Sequence, residues 1–238
     1  MENNNGGIPL HERILINNGG CAVVNKLAGE AAQHAFGAKG KIINLPKELK
    51  KLLNTDIAQA VHRIDVPVTG CVLFAFNAFS LKFLNGVFTC KNDSVKKTYW
   101  AVVEKPSFDA PQSGCLTHWI EINPRVNKSF AYNEEGPQRK KAVLNYRIIG
   151  SGDNYIFLEI ELVTGRHHQI RSQLAAINLH IKGDVKYGAR RSEKNGGIRL
   201  HARSLSFPKP QEKTNENEII IVNAMPPFMD SLWSAFPC

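Results

Sequence analysis

Short apolar runs separated by turn residues dominate the chain and predict a succession of β-strands with few helices. Ile14-Leu15-Ile16 and Cys21-Ala22-Val23-Val24-Asn25 flank Asn17-Asn18-Gly19-Gly20, an Asn-Gly hairpin signal, and Lys26-Leu27-Ala28-Gly29 closes the second strand. Cys71-Val72-Leu73-Phe74-Ala75-Phe76 has no polar interruption, so that strand is expected to be buried on both faces. Lys97–Glu104, Thr117–Ile122, Ala142–Ile149 and Ile219–Val222 have strand composition. Tyr155–Val163 alternates, with Ile156, Leu158, Ile160 and Leu162 on one face and Glu159 and Glu161 on the other, which predicts a half-buried strand.

Helical spacing is confined to three places. Pro46–Asn54 predicts a short helix burying Leu49, Leu52 and Leu53, and Phe79, Phe83, Leu84, Val87 and Phe88 form a stripe assigned to the core. Ile170, Leu174 and Ile177 predict a helix that starts near His168 and ends before His180. Pro106–Gly114 and the polar, basic stretch Asn123–Lys141 read as loops. Many strands, hairpin-type turns and few helices imply an α+β fold on a mainly antiparallel sheet.

Composition narrows the class. Of 238 residues, 43% are hydrophobic and 21% charged, the balance of a folded soluble protein, read as one domain over residues 14–238 behind a flexible 1–13 tail. Thirty Lys+Arg against 21 Asp+Glu give a formal charge of +9, which favours a polyanionic partner such as nucleic acid. Five cysteines without a CxxC pair argue against a disulfide framework or a zinc site and for reduced thiols. Neither a secretory leader nor an apolar run of ~18 residues is visible, so a cytoplasmic protein without a membrane partner is expected.

The chemistry centres on Val61-His62-Arg63-Ile64-Asp65-Val66-Pro67-Val68-Thr69-Gly70. One carboxylate, flanked by a histidine and an arginine, sits at the mouth of the buried strand, where it is held rigidly. Tyr99, the segment Thr164–Arg171 and Leu200-His201-Ala202 are the other candidates. Each also has a plain structural reading, as turn cap, sheet tyrosine or solvated basic edge. His62, His167 and His168 lack the spacing of a metal site, there is no GxSxG elbow, and Gly37–Lys41 is only a fragment of a phosphate loop and reads as solvated.

In order, His62-Arg63-Ile64-Asp65 with Thr69-Gly70, Lys97-Thr98-Tyr99-Trp100-Ala101, Thr164-Gly165-Arg166-His167-His168-Gln169-Ile170-Arg171, and Leu200-His201-Ala202 with Leu205-Ser206-Phe207-Pro208 resemble the motifs of the RluA-type RNA pseudouridine synthases. Lys26-Leu27-Ala28-Gly29 resembles that family's Lys-Pro-Ala-Gly, and Gly183–Gly188 its Gly-Asp-x-x-Tyr-Gly. The likeness runs from about residue 14 to Pro226. The chain departs from it at Val66-Pro67-Val68, Leu27, Lys105 and Lys209, and because Asp65 comes so early the small N-terminal RNA-binding domain of many relatives is expected to be missing.

What the resemblance implies is specific. The fold would be the α+β pseudouridine synthase sheet with an active-site cleft across it, and the reaction would isomerise uridine in ribosomal or transfer RNA after base flipping. Asp65 would be the essential carboxylate, Arg171 its cationic partner, and Tyr99 a ring stacked on the uracil or a base toward C2′. Arg63 would fill the space of the displaced base, Ile170 and Leu200 would wall the pocket, and His62, Arg166, His168, Gln169 and His201 would contact substrate. No cofactor or metal is implied, and a monomer is expected. Two rivals remain: an RNA-binding or RNA-folding module of the same fold without activity, and a metal-dependent hydrolase using the histidines.

Overall fold

The computed structural model describes residues 7–33, 42–90, 94–211 and 218–236, and the Gly37–Lys41 segment lies outside them. The backbone gathers into two compact units, residues 1–95 with 204–227, and residues 96–203 with 228–238.

In the first unit, β1 (Ile14–Asn17) and β2 (Cys21–Lys26) form the expected antiparallel hairpin. Its turn works because Gly19 adopts φ 80° and Asn18 Oδ1 accepts from the backbone N–H groups of Gly20 and Cys21 at 3.1 and 2.8 Å. The strands β3 (Glu30–Ala31) and β4 (Ile43–Asn44) pair in parallel ahead of α1 (Leu45–Leu53). Asn44 caps α1 by accepting from Lys47 N–H at 3.0 Å, and Asn54 ends it in the left-handed region. Leu45 and Leu49 are the buried leucines of α1, whereas Leu52, expected inside, is 41% exposed.

The short β5 (Gln59–Ala60) and the long β6 (Thr69–Ala75) follow, and β6 pairs with β2 from Cys21 opposite Ala75 to Lys26 opposite Gly70. Gly70 through Ala75 are all buried, the two-faced burial expected of an uninterrupted apolar run. Next comes α2 (Ala78–Thr89), capped by Asn77 accepting from Ser80 N–H at 2.8 Å. Its aromatic stripe is a correction: Leu84 is fully buried, but Phe79 is 42% exposed and the others are only half-buried. Within the tail expected to be flexible, Leu10–Arg13 forms a 3-10 turn whose Arg13 side chain is buried.

The second unit carries β7 (Lys96–Glu104), β8 (Ser113–Asn123), β9 (Lys128–Tyr132), β10 (Lys140–Ser151) and β11 (Tyr155–Leu162), in the order β7-β11-β10-β8-β9, with every neighbouring pair antiparallel. β9 lies inside the stretch read as a loop. α3 (Gln169–Ala176) starts at the expected place. β12 (Leu200–Pro208) passes into the first unit, where Ser204–Pro208 pair with β13 (Ile219–Asn223).

Trp100, Val102, Phe157, Trp233 and Phe236 pack together, with Trp100 stacked on Phe236 at 4.6 Å. The second face of β11 is therefore covered at Phe157 as well as alternating toward Glu159. Successive strand residues face opposite ways, so Tyr99 points away from this aromatic cluster. The fold is the expected sheet-dominated α+β class. No helix among the described residues is long and apolar enough to cross a membrane.

Candidate active site

Asp65 belongs to the first unit and is half-buried, between the buried side chains of Ile64 and Val68. Its carbonyl accepts from Val68 N–H at 3.0 Å, closing a turn that places Pro67 where no backbone donor is needed. The Val66 carbonyl accepts from Gly29 N–H at 2.9 Å and from the Lys26 ammonium at 3.1 Å. Lys26 is wholly buried, and its other two bonds go to the carbonyls of Leu27 and Glu30 at 2.8 and 2.9 Å. Three carbonyls thus match three ammonium hydrogens. Burial pulls the Lys26 pKa down to about 7, with the Glu30 and Asp65 carboxylates opposing that pull.

Glu30 is fixed in turn by a two-pronged bond to Arg13, at 2.9 and 2.7 Å, and accepts from Leu27 N–H at 2.7 Å. The motif Lys26–Gly29 is thereby a rigid shelf beneath the Asp65 turn. His62 accepts from Leu73 N–H at 3.2 Å through Nε2 and stacks on Phe88 at 5.3 Å, which orients the neighbouring, exposed Arg63.

In the second unit, Tyr99 is buried on β7 opposite Ile160. The turn Thr164–His168 leads into α3, with His168 in the left-handed region at φ 50°. Gln169 holds this turn: its Oε1 accepts from Thr164 Oγ1 and Arg166 N–H at 2.8 and 2.9 Å, and its Nε2 donates to the Val143 carbonyl at 3.0 Å. The exposed Arg166 donates from Nε to the Lys141 carbonyl at 3.0 Å. His168 is buried, stacks on His167 at 3.9 Å, and shares a hydrogen bond with the Tyr187 hydroxyl at 2.9 Å. His167 bonds Ser129 Oγ at 2.8 Å.

Arg171 is buried, and its guanidinium grips Asp184 with Nε and Nη2 at 2.6 and 2.8 Å while lying over the Tyr187 ring. Such a fork fixes the plane of the guanidinium. Ile170, Leu200 and His201 are buried too, and His201 packs edge-on to Trp233 at 6.0 Å. Among the described residues no three of His, Cys, Asp and Glu cluster as a metal site.

Residues 21–176 match the family model for RNA pseudouridylate synthases. The chain belongs to the RluA-type RNA pseudouridine synthase family. Ribosomal large subunit pseudouridine synthase C of Rickettsia felis is 34% identical over 177 residues, covering 69% of this chain and 52% of that one. Ribosomal large subunit pseudouridine synthase D of Buchnera aphidicola is 32% identical over 157 residues, 66% of this chain and 47% of that one. An uncharacterised RNA pseudouridine synthase of Zymomonas mobilis is 30% identical over 156 residues, 64% and 68% of the two chains. The chain spans about half the length of the Rickettsia and Buchnera relatives. A human RNA pseudouridylate synthase domain containing protein 1 has the same fold, with a TM-score of 0.72 at 21% identity, over 99% of this chain and 91% of that one.

The family match frames what sequence reading missed. Asp184 was visible only as one letter of a Gly-Asp-x-x-Tyr-Gly motif, yet it orients Arg171. Lys26, Glu30 and Arg13 support the Asp65 turn from three separate places, and only the lysine stood in a quoted motif.

Proposed function

We propose that the chain isomerises uridine to pseudouridine in RNA, with large-subunit ribosomal RNA as the first substrate to test because two relatives carry that name. The N1–C1′ bond breaks, C5 joins C1′, a proton leaves C5 and one is taken up at N1. The reaction balances without a redox partner. The observation that carries the reading is the match over residues 21–176, which includes the Asp65 turn, Tyr99 and the Thr164–Arg171 segment.

In this reading Asp65 acts on the sugar as nucleophile or as electrostatic support for its cationic character. The shelf under Val66 keeps its loop from collapsing. Arg171, its plane set by Asp184, is the cationic residue that the family's motif pairs with the reaction, and Tyr99 stacks on the turning uracil. Arg166 holds the opened strand and Arg63 takes the space of the displaced base, both side chains being exposed, and flipping the base costs about a few kcal/mol, least in an unpaired loop. Gln169 and His168, substrate contacts in the family's pattern, also shape the turn that carries Arg166.

The test is Asp65→Asn with ribosomal and transfer RNA as substrates and site-resolved pseudouridine mapping as readout. The variant is expected to fold and bind RNA while forming no product. Product formation by Asp65→Asn would remove Asp65 from the chemistry. Wild-type protein that binds both RNAs and modifies neither would make the chain an RNA-binding module instead.

A further inference from the structure

A cleft of about 810 Å³ opens in the second unit where the end of β7, the β10–β11 turn and the 190–199 loop meet. Six cations line it, Lys105, Lys182, Arg190, Arg191, Lys194 and Arg199, against the carboxylates Glu104, Asp153 and Glu193. The carboxylates are unevenly shared. Glu104 accepts from Arg190 N–H at 2.9 Å and pairs with its side chain, while Glu193 bonds both Lys182 and Arg199. Arg199 also takes Asp230 at 2.6 Å. Arg191 and Lys194 have no hydrogen-bonded or ionic partner among the described residues, and both are exposed.

The cleft is built on a fixed frame. Arg199 N–H donates to the Lys182 carbonyl, Lys182 N–H to Val102 and Val102 N–H to Arg199, each at 2.9 Å. Glu193 lies so close over Gly183 that a Cβ there would sit 2.7 Å from its Cγ, and Gly183 has φ +90°, so the glycine is required. The interlocked pairs thus hold the loop's stem while its tip offers uncompensated charge.

The lining also says what does not fit. Tyr155 is its one aromatic ring, and Lys182 Nζ already sits 5.8 Å from that ring's centroid. A site without an open stacking surface or apolar walls suits neither a nucleobase nor a drug-like ligand. It suits phosphate oxygens. Tyr99 lies five residues back along β7, about 17 Å at ~3.4 Å per residue, a span of roughly five stacked nucleotides.

We propose that this cleft, through Arg191 and Lys194, binds a phosphodiester of the RNA several nucleotides from the target uridine. The proposal rests on the RNA reading above but not on the isomerisation. Its test is binding of the full chain to total transfer RNA and to a 30-nucleotide poly(U) across a salt series. Arg191→Ala/Lys194→Ala should weaken binding about tenfold at 0.1 M salt and flatten the slope of log affinity against log salt by about 1 to 2. Lys50→Ala/Lys51→Ala, which removes two exposed cations from α1, is the control and should change the slope less. An unchanged slope in the cleft variant, or an equal drop in the control, overturns the proposal. Calorimetry with inorganic phosphate is the second arm: sub-millimolar binding abolished by the cleft variant would assign the site to a free anion and overturn it too. Because binding is read without turnover, failure here leaves the proposed uridine chemistry standing, and a chain that makes no pseudouridine leaves this result readable.

Discussion

Arg171 and Asp184 are joined by two short parallel bonds, at 2.6 and 2.8 Å, with both side chains nearly out of solvent. The bond ties the first turn of α3 to the loop that ends at Gly188. Asp184→Asn takes the carboxylate from a buried guanidinium and turns an amide N–H₂ toward a donor, so it should destabilise the fold by about 3–5 kcal/mol. Urea unfolding reads this directly. An unfolding midpoint equal to that of wild type would contradict the view that Asp184 compensates Arg171.

Gln169 is 3% exposed and uses both ends of its amide on the Thr164–Arg166 turn and Val143. Gln169→Ala leaves Arg166 N–H without its acceptor, while the Val143 carbonyl keeps the N–H groups of Val163 and Thr164. The Thr164 hydroxyl, the other donor to Gln169, still reaches the Val143 carbonyl at 3.4 Å, so one orphaned donor and the lost packing predict a stability loss of about 2 kcal/mol. Hydrogen exchange should locate the effect, with Arg166 N–H losing protection and β7 keeping it.

Local rules carried much of the fold. Asn18-Gly19, the uninterrupted 71–76 run and the spacing of Ile170 and Leu174 each report interactions within a few residues, and the hairpin, β6 and α3 stand where they predict. The failures came where tertiary context decides. Leu52 and Phe79 satisfy helical spacing yet stay exposed, since periodicity gives a face and not what covers it. β9 hides in a basic stretch because an edge strand of five residues, Lys128–Tyr132, has little apolar pattern of its own. The same limit applies to the candidate site: Asp65 and Tyr99 were legible as motif residues, whereas the Asp184 clamp and the Arg13–Glu30 pair join positions 13 and 17 residues apart and carry no periodic signal.

Phe236 stands near the end of the chain but is 3% exposed, stacked on Trp100 and edge-on to Phe157 at 5.2 Å. Those contacts hold residues 228–236 within the second unit. Phe236→Ala should cost about 3 kcal/mol, the lower end for a buried phenylalanine. A red-shifted tryptophan emission from newly wetted Trp100 and Trp233 should accompany the loss, and an unshifted spectrum would speak against that packing.

Lys26 links the Asp65 turn to pH. Its folded-state pKa, near 7, lies below the ordinary lysine value, so between about pH 7 and 10 the unfolded chain binds more protons than the folded one. By linkage, stability attributable to this group must rise with pH across that window, and the burial penalty is fully present below it. Lys26→Met removes the titration, so the stability of wild type relative to this variant should improve from pH 7 to 9.5 by up to about 1 kcal/mol per pH unit. Deprotonation also leaves two hydrogens for three carbonyls, those of Leu27, Glu30 and Val66, and takes a positive charge from the neighbourhood of Asp65. Because an opening of the turn that wets Lys26 takes up a proton by the same linkage, exchange of Gly29 N–H, which donates to the Val66 carbonyl, should rise above pH 7 in wild type less steeply than the ordinary base-catalysed rate. In Lys26→Met it should follow that ordinary rate at every pH, and equal profiles for the two proteins would unseat Lys26 as the prop under the turn.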